Sequence, residues 1–400
     1  MSAPPLSSST APSTLPLEGL LVVAIEQAVA APLCTARLCA AGARVIKVER
    51  EGGDFARAYD SAACGESSYF SWINQGKESI VLDFKTADDK ALLERIISKA
   101  DILVQNLSPG ALTRAGLDPA KLQTSFPALI TCDISGYGDD EAVADLRAYD
   151  LLVQAEAGLL EVSGTPGEPG RIGISICDIG AGMSAHAAIL EALIARSVSR
   201  RGRQLKISLF DVAAEWMTVP FIHQQYGEGA PKRVGLHHPS IAPYGAYTTG
   251  DNIRTLISIQ NEREWQRLCD NVFASPQLIS DSRFESNNQR VANRAALDEE
   301  IGQILSAMTA EEFRQRLGQA KIAYGAINTT AEVVEHRALT TTNLTNSQGK
   351  TMNLPISPQL KNLQAYAAMV AAEKNQPTTK QPTRSPACGE HTELVRKEFN

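Results

Sequence analysis

Residues 171–211 have the sequence RIGISICDIGAGMSAHAAILEALIARSVSRRGRQLKISLFD and join three features around which the chain is organised. Isoleucines alternate with other residues up to Asp178, small residues follow at 180–182, and apolar residues with helical spacing come next. The alternation is typical of a strand, and the later spacing predicts a helix opened by the small residues. We therefore expect Asp178 where a strand or loop gives way to a helix, and a buried strand ending near Asp211.

Asp178 has two interpretations at this stage. An aspartate at a helix start accepts hydrogen bonds from unpaired backbone N–H groups and meets the positive end of the helix dipole, so capping is the ordinary explanation. Gly180 and Gly182 favour a site instead, because each costs roughly 1 kcal/mol relative to alanine inside a helix. Their presence suggests that a backbone or a ligand comes close. The residues alone leave both interpretations open.

Length and composition indicate a soluble protein with two domains. Four hundred residues are too many for one ordinary core, and 44% hydrophobic with 21% charged residues is typical of a globular chain. The net charge of −7 is spread along the chain, which argues against a nucleic-acid partner. A local basic pocket for one phosphorylated ligand stays open.

The cysteines and the first residues favour the cytoplasm. The seven cysteines are scattered and form no CxxC pair, so neither a disulfide framework nor a metal site is predicted. Cys177 has no evident histidine partner, and we interpret it as a small apolar filler. Residues 1–17 have no targeting signal and are predicted to be a disordered tail. No apolar run approaches the roughly 18 residues of a membrane span, so no membrane partner is expected.

Apolar runs that alternate with helical patterns predict a parallel α/β sheet. The chain opens with a predicted strand at 20–25, a helix at 32–41 and a strand at 44–49. Residues 26–31 lack the glycines of a dinucleotide fingerprint, which argues against NAD. Further strands are predicted at 79–84, 101–105 and 127–135.

Several motifs resemble those of the family III CoA-transferases, a family that also contains α-methylacyl-CoA racemases. The most specific is D-I-x-A-G-x-x-A from Asp178, followed by A-x-x-E-A-L-x-A-R. The resemblance covers residues 18–400. Other matching segments occur in the same order and spacing: Ala30-Ala31-Pro32, Gly42 to Glu49, Gly52-Gly53-Asp54, residues 106–110, residues 135–138 and Gly389-Glu390-His391-Thr392.

The resemblance implies a large Rossmann-like domain built from both ends of the chain and a smaller α/β domain. The large domain would comprise residues 18–217 and a C-terminal return at 339–400. Residues 218–234 would be a linker, and residues 235–338 the small domain. Because the middle of the chain belongs to another domain than its ends, family members form an interlocked, ring-like homodimer, which we expect here.

The resemblance also implies a site for coenzyme A, used as a thioester substrate and not as a prosthetic group. Val29 and Arg50 match positions that contact the nucleotide, and the loop with Asn106 and Leu107 matches an adenosine-binding loop. Leu107 and Ser108 replace an aromatic residue and an arginine of the family pattern, so a phosphate contact is weakened. We hypothesise compensation by the basic residues Lys77, Arg114 and Arg147, and Asn74 is a further residue expected to bind coenzyme A.

Two loops match segments that surround the acyl group in the family. Gly136, Tyr137 and Gly138 match a turn near the thioester, and residues 147–150, which include Tyr149, match the segment before the catalytic aspartate. Racemases carry a histidine in that segment, because moving a proton at an α-carbon needs two acid/base groups. Its absence favours a transferase. His237 and His238 match a small-domain loop facing the nucleophile, and we expect lining or structural roles, not metal binding.

The implied chemistry is nucleophilic attack by Asp178 on an acyl-CoA. An aspartate with a reference pKa of about 3.9 is ionised at neutral pH and needs no base. Attack would give an aspartyl anhydride and then an aspartyl-CoA thioester, without ATP or metal. Oxyanion donors are expected at the Gly180–Gly182 helix start or at the 136–138 turn.

The acids exchanged are not determined by the sequence. Succinyl-CoA is a common donor in the family, and a dicarboxylate or hydroxy acid is the expected acceptor, its distal carboxylate neutralised by Arg147, His237 or His238. Two alternatives remain: a racemase-like enzyme and a non-catalytic acyl-CoA-binding protein.

Overall fold

A computed structural model describes residues 15–143, 146–374 and 384–400. The chain forms two compact units. The larger unit contains residues up to 157, 173–216 and 340–400, and the smaller unit contains 158–172 and 217–339.

The strands are β1 (Leu21–Ile25), β2 (Arg44–Glu49), β3 (Glu78–Val81), β4 (Ile102–Gln105), β5 (Ile130–Ser135), β6 (Gly164–Thr165), β7 (Glu168–Pro169), β8 (Gln204–Ser208), β9 (Tyr244–Thr248), β10 (Arg254–Ser258), β11 (Ala323–Ala326), β12 (Thr341–Thr345) and β13 (Thr351–Pro355).

The helices are α1 (Ala30–Ala40), α2 (Ser68–Ile73), α3 (Ala87–Ile97), α4 (Ala111–Arg114), α5 (Pro119–Ser125), α6 (Asp150–Glu156), α7 (Leu159–Val162), α8 (Ile176–Ser199), α9 (Leu209–Trp216), α10 (Thr218–Tyr226), α11 (Glu262–Arg267), α12 (Gln277–Ser280), α13 (Asn287–Ala292), α14 (Arg294–Leu305), α15 (Ala310–Gln319), α16 (Thr330–Val334), α17 (Pro358–Lys374) and α18 (Thr392–Phe399). A 3-10 turn at Phe55–Ala58 and a π-helical turn at Leu268–Val272 complete the helical segments of the described chain.

The larger unit is built on a six-stranded sheet with the order β3-β2-β1-β4-β5-β8. Each neighbouring pair is parallel, as the short, continuous apolar runs predict. Val23 of β1 pairs with Ile46 on one side and Leu103 on the other, and all three are buried. The strand order reverses between β1 and β4, which is the doubly wound arrangement. The predicted α/β class with a Rossmann-like sheet is confirmed.

The stretch that opens the sequence analysis folds differently at both of its ends. The alternating isoleucines before Asp178 form no strand, since Ile174 is exposed and α8 already begins at Ile176. The apolar residues around Asp211 start helix α9, because β8 ends at Ser208. The alternation was therefore a misleading signal: a strand needs a pairing partner, and these residues have none in the described sheet.

Helix α8 packs against α1 and the sheet through its small residues. A Cβ on Gly182 would lie 2.5 Å from the Ala30 carbonyl oxygen, and a Cβ on Gly180 would collide with the Trp216 indole. Contrary to the expectation from the sequence, α8 is long and apolar enough to cross a membrane by length and composition. Its buried face, which includes Ala181, Ala185 and Ile189, instead packs in the core of the larger unit.

The smaller unit has an antiparallel sheet of order β11-β10-β9 covered by helices. Its core contains Trp265, Phe284, Leu297 and Phe313, all fully or nearly fully buried. The predicted small α/β domain is confirmed in class, although β9 lies partly in the segment predicted to be a loop.

The boundaries of the two units differ from the prediction. Residues 158–172, predicted in the large domain, belong to the smaller unit, because the Gly235 N–H bonds to the Gly164 carbonyl and Arg233 pairs with Glu161. The predicted linker 218–234 likewise belongs there and contains α10.

Both chain ends pack on the larger unit's sheet. Leu15 and Leu17 are buried, and the Leu17 N–H bonds to the Ala41 carbonyl, so the predicted tail is wrong for its last residues. Residues 1–14 lie outside the described chain. At the other end, the Gly389 N–H donates to the Ser79 hydroxyl. This contact places the C-terminal return beside β3.

Candidate active site

The start of α8 is held by a residue of another helix. Asp150, the first residue of α6, accepts hydrogen bonds from the N–H groups of Cys177 (2.7 Å) and Asp178 (3.1 Å) through one carboxylate oxygen. Its other oxygen accepts from the Gln154 amide at 2.6 Å. Ser175, which precedes α8, makes no capping hydrogen bond with its side chain. Asp150 therefore caps α8, and the capping role considered for Asp178 is filled by another carboxylate.

The backbone amides at this helix start are already used. The Ile176 N–H bonds to the Ile174 carbonyl at 2.8 Å, and the Ile179 N–H bonds to the Ser175 carbonyl at 2.9 Å. Gly180 and Gly182 lie inside α8, where they allow close packing of protein groups. The oxyanion role expected for the Gly180–Gly182 helix start is therefore not supported by this arrangement.

The Asp178 side chain is partly buried and accepts no hydrogen bond within the described chain. Burial, together with the negative charge of Asp150, raises the pKa of Asp178 to about 7. The carboxyl group is therefore more basic than the free aspartate considered in the sequence analysis.

Tyrosines that the sequence analysis did not single out surround the same helix start. The Tyr69 hydroxyl lies 3.3 Å from the Ser175 hydroxyl, and its ring meets Tyr59 edge-on at a centroid distance of 5.6 Å. Burial and neighbouring groups, including Asp54 and Asp178, raise the pKa of Tyr59 to about 12. Tyr149, which was predicted, precedes Asp150 and is exposed. No local spacing signal marks Tyr59 and Tyr69, because they come from a distant segment.

The turn of Gly136, Tyr137 and Gly138 lies against the segment that precedes Asp150. A Cβ on Gly136 would collide with Ala148, so only glycine allows this approach. The Tyr137 ring packs on Phe210 at 5.9 Å, and the Gly138 N–H donates to the Ser135 hydroxyl at 3.0 Å. Since Asp150 holds α8, contacts link the turn to the Asp178 backbone.

Two cavities open at the carboxyl ends of the parallel strands, where α/β sheets bind ligands. One, of about 290 Å³, is lined by residues that include Arg50, Gly53, Phe84, Lys85 and Leu107. The other, of about 250 Å³, is lined by residues that include Leu107, Ser108, Asp133, Gly138 and Lys206.

Lys85 is a basic residue that the sequence analysis missed. It lies in the loop after β3, which ends at Val81, while Arg50 directly follows β2, and both line the cavity of about 290 Å³. Its position just after a buried strand was the available signal, because carboxyl ends of parallel strands share one edge of a sheet. The pocket therefore carries two cations after neighbouring strands, beside acidic lining residues, namely Glu26, Glu49, Asp54 and Asp83.

Lys77 and Asn74 are not available to a ligand, which corrects their predicted role. The buried Lys77 ammonium donates to the Glu26 carboxylate (2.6 Å), the Pro32 carbonyl (2.9 Å) and the Asn74 side-chain oxygen (3.0 Å). Burial lowers the pKa of Lys77 to about 8 even though Glu26 opposes the shift.

Lys77 is one member of a buried ionic network, defined here as Glu26, Lys47, Glu49, Asp54, Arg57 and Lys77. Lys47 lies 3.0 Å from Asp54 and 3.4 Å from Glu26, and Arg57 pairs with Glu49 at 2.6 Å. Burial alone would raise the pKa of Glu49, but Arg57 and Lys47 hold it at about 2. Lys77 and Lys47 likewise hold the pKa of the buried Glu26 below its usual value.

Asn106 and Val29 have partners within the larger unit. The Asn106 side chain accepts from the Gln27 N–H at 2.9 Å and donates to the Gln27 carbonyl at 2.8 Å. Val29 is buried with Leu33 and Ile73. Asn106 thus joins the ends of β1 and β4, and its contact with the nucleotide stays a prediction.

Arg114 and Arg147 are exposed. Arg114 donates to the Pro109 carbonyl at 3.1 Å, and neither arginine forms an ion pair with a described residue. Both guanidinium groups keep donors for a ligand, so their predicted contacts with coenzyme A remain a prediction.

His237 and His238 have separate surroundings in the smaller unit. The His237 ring packs edge-on against Tyr247 at 5.5 Å, and the His238 ring stacks on Tyr244 at 5.2 Å. Burial and Arg294 lower the pKa of His238, so its imidazole is neutral at pH 7. Among the residues described, no group of three or more His, Cys, Asp or Glu side chains is arranged for a metal ion. That both histidines face the nucleophile stays a prediction.

Comparison with known proteins gives a consistent result. The model of CoA-transferase family III matches residues 17–392. The chain is 34% identical to acetyl-CoA:oxalate CoA-transferase of Acetobacter aceti, with 79% of this chain and 82% of that protein covered. It is 33% identical to succinate–glutarate CoA-transferase of Agrobacterium fabrum, with 80% and 81% covered. A crystal structure of a CAIB/BAIF family protein from Brucella suis superposes with a TM-score of 0.78 and 30% identity, covering 96% of this chain and 100% of that chain.

Proposed function

The chain belongs to CoA-transferase family III, and we propose that it transfers CoA through covalent intermediates on Asp178. The observation that carries this proposal is the start of α8. There Asp178 has a carboxylate without a hydrogen-bond donor or a counter-ion in the described chain, while its backbone is fixed by Asp150. A carboxylate in this state is more basic than in water, which favours attack on a thioester carbonyl.

The reaction begins when the ionised Asp178 carboxylate attacks the acyl carbonyl of acyl-CoA. The carbon–sulfur bond breaks, giving an aspartyl-acyl anhydride and the CoA thiolate. The thiolate then attacks the Asp178 carbonyl and releases the donor acid as a carboxylate, leaving an aspartyl-CoA thioester. The carboxylate of the acceptor acid attacks that thioester, and the same two steps in reverse release the new acyl-CoA and free Asp178.

Each of these attacks passes through an oxyanion that needs aimed donors. The amides at the start of α8 are used within the protein. We therefore assign the oxyanion contacts to the Gly136 and Tyr137 amides of the 136–138 turn, since the Gly138 N–H already donates to the Ser135 hydroxyl. This turn reaches the Asp178 backbone through Ala148 and Asp150.

The CoA-binding site that we propose is the crevice at the carboxyl ends of the parallel strands. Arg50 and Lys85 line the same cavity and supply two cations for the nucleotide phosphates, in place of the arginine that Ser108 replaces. Arg114 and Arg147 are exposed further donors. Leu107 lines both cavities and provides apolar surface for the adenine.

Small carboxylic acids are the acceptors that we propose, with succinyl-CoA as donor. The relatives are named for oxalate and for succinate and glutarate, which are small dicarboxylates. A hydroxy acid of the same size is the second candidate.

A cytoplasmic homodimer is the state that we propose for the active enzyme. Helix α10 exposes Val219, Phe221, Ile222 and Tyr226, an apolar surface larger than isolated surface residues would give. Sedimentation at several protein concentrations tests this state, and a species of 43.0 kDa throughout would contradict it.

Mass spectrometry of the intact protein after mixing with succinyl-CoA tests the mechanism. We expect a succinyl or CoA mass on the peptide containing Asp178, removable with hydroxylamine, and no adduct in Asp178→Asn. An unmodified protein after a panel of acyl-CoA donors would contradict the mechanism. Deuterium entering the α-position of an acyl-CoA from solvent would indicate the racemase alternative.

A further inference from the structure

Asp150 contacts the nucleophile's helix in a way that a simple cap does not require. The residue lies 28 positions before Asp178, and one of its oxygens accepts from both the Cys177 and the Asp178 N–H groups. Gln154, one turn later on α6, holds the other oxygen at 2.6 Å. The carboxylate is therefore fixed from both sides next to the Asp178 backbone.

The other groups that face this position have no compensating charge. On its own helix, Cys177 is buried, and burial raises the pKa of its thiol to about 12. Tyr59 brings a phenol whose pKa burial raises to about 12, so it is neutral at pH 7, and the Tyr69 hydroxyl lies 3.3 Å from the Ser175 hydroxyl.

The neighbouring helices meet this part of α8 through apolar groups. Helix α9 approaches Gly180 with Val212 and Trp216, and α1 approaches Gly182 with Ala30 and Leu33. In the described part of the larger unit, Asp150 is the one charged group whose field changes the pKa of Asp178.

We infer that Asp150 is a positioning residue that drives acylation of Asp178, by fixing its backbone and by placing a second negative charge beside its carboxylate. The inference rests on the proposed covalent mechanism. When Asp178 attacks an acyl group, its negative charge leaves with the CoA thiolate or the released acid. The repulsion between two neighbouring, partly buried carboxylates then disappears, so the covalent intermediates are stabilised relative to the free enzyme.

The two roles of Asp150 separate in a pair of variants. Asp150→Asn keeps an oxygen that accepts from both amides and removes the charge. Asp150→Ala removes the acceptor as well, so the start of α8 loses its cap. A purely structural role predicts that the asparagine variant behaves as the wild type does and that only the alanine variant is impaired.

The test measures the fraction of protein carrying a covalent adduct, and kcat/KM, from pH 5 to 9 with succinyl-CoA. In the wild type we expect the acid limb of kcat/KM to have its midpoint near pH 7. In Asp150→Asn we expect the midpoint to move down by about one pH unit or more and the adduct at pH 8 to fall about tenfold. The circular dichroism of this variant, and its thermal unfolding midpoint at pH 5, where Asp178 is protonated, should match the wild type.

An unchanged acid limb and adduct fraction in Asp150→Asn would overturn the inference while leaving the covalent mechanism in place. A wild-type acid limb near pH 4 would also overturn it, and this measurement holds even when the variants fold poorly. No adduct on Asp178 in the wild type would instead refute the proposed mechanism itself, so the two failures are distinguishable.

Discussion

Two sites in the larger unit shift the pKa values of their acidic residues in opposite directions. In the buried ionic network, arginine and lysine partners hold the pKa of Glu49 at about 2. At the start of α8, Asp178 faces Asp150 and no described cation, and its pKa rises to about 7. Burial acts in the same direction on both carboxyl groups, so the charged partner decides the outcome.

This difference separates a structural site from a reactive one. The network joins the loops that follow β1 and β2, since Asp54 accepts from the Ala28 and Ala56 N–H groups and pairs with Lys47. Its charged groups form ion pairs and hydrogen bonds with one another. The Asp178 carboxylate has no hydrogen-bond donor or counter-ion in the described chain. Its negative charge is removed when it binds a proton or forms a covalent bond with an acyl group. Strong perturbation by burial with a like charge is typical of functional sites.

The largest effect is expected from removing the unsatisfied carboxylate. Asp178→Asn keeps the shape of the side chain but cannot form the anhydride, so we expect CoA transfer to fall about 10⁴-fold or more. Initial rates with succinyl-CoA and a dicarboxylate measure this loss. Asp281→Asn, at a partly buried aspartate of the smaller unit that pairs with Arg283, is the control and should keep its activity. Residual turnover within tenfold of the wild type would contradict the assignment.

Removing a member of the buried ionic network should lower the stability of the protein and not its catalytic activity. Glu26→Gln leaves Lys77 and Lys47 without their shared buried partner, and we expect unfolding free energy to fall by about 3–5 kcal/mol. Urea denaturation measures the loss. Glu398→Gln, at a surface ion pair with Arg44, is the matched control and should lose about 1 kcal/mol or less. An equal loss of unfolding free energy in the two variants would show that the buried network stabilises the fold no more than a surface ion pair does.

Replacing Asp178 is expected to raise the stability of the protein, whereas replacing Glu26 lowers it. A carboxyl group with a raised pKa in the folded state stabilises the fold when protonated, and this contribution is lost as pH rises from about 4 through about 7. Asp178→Asn should therefore be more stable than the wild type at pH 8, by about 2–4 kcal/mol, and equal to it below pH 4. Urea denaturation at both pH values checks this. A variant less stable at pH 8 would show that Asp178 has a stabilising partner.

The smallest effects are expected at the rim of the cavity. Arg50→Gln and Lys85→Gln each remove one exposed cation from the pocket, and we expect KM for acyl-CoA to rise about 5- to 10-fold with little change in kcat. Lys99→Gln, at an exposed lysine after α3, is the control. Steady-state kinetics at fixed ionic strength measure the change. Wild-type KM values in both variants would show that the nucleotide does not bind in this cavity.

Much of the frame could be predicted from local patterns. Buried runs such as Leu21–Ile25 gave the parallel strands, and the motif at Asp178 gave the family and the candidate nucleophile. Arg50, named from the family resemblance, lines a cavity at the end of β2, and its contact with the nucleotide stays a prediction. Lys77 was misplaced, since its motif neighbours do not show that its ammonium turns inward toward Glu26.

The sequence by itself determined which residues form the sheet and which carboxylate begins α8, because periodicity, small residues and motif spacing are local properties of the chain. The tertiary structure alone decided the chemistry of that carboxylate. Asp150 meets Asp178 only because α6 packs beside α8, and Tyr59 reaches the same place from a distant loop. A pKa depends on burial and on charges within a few ångströms, and those are set by packing between segments that the linear order keeps apart.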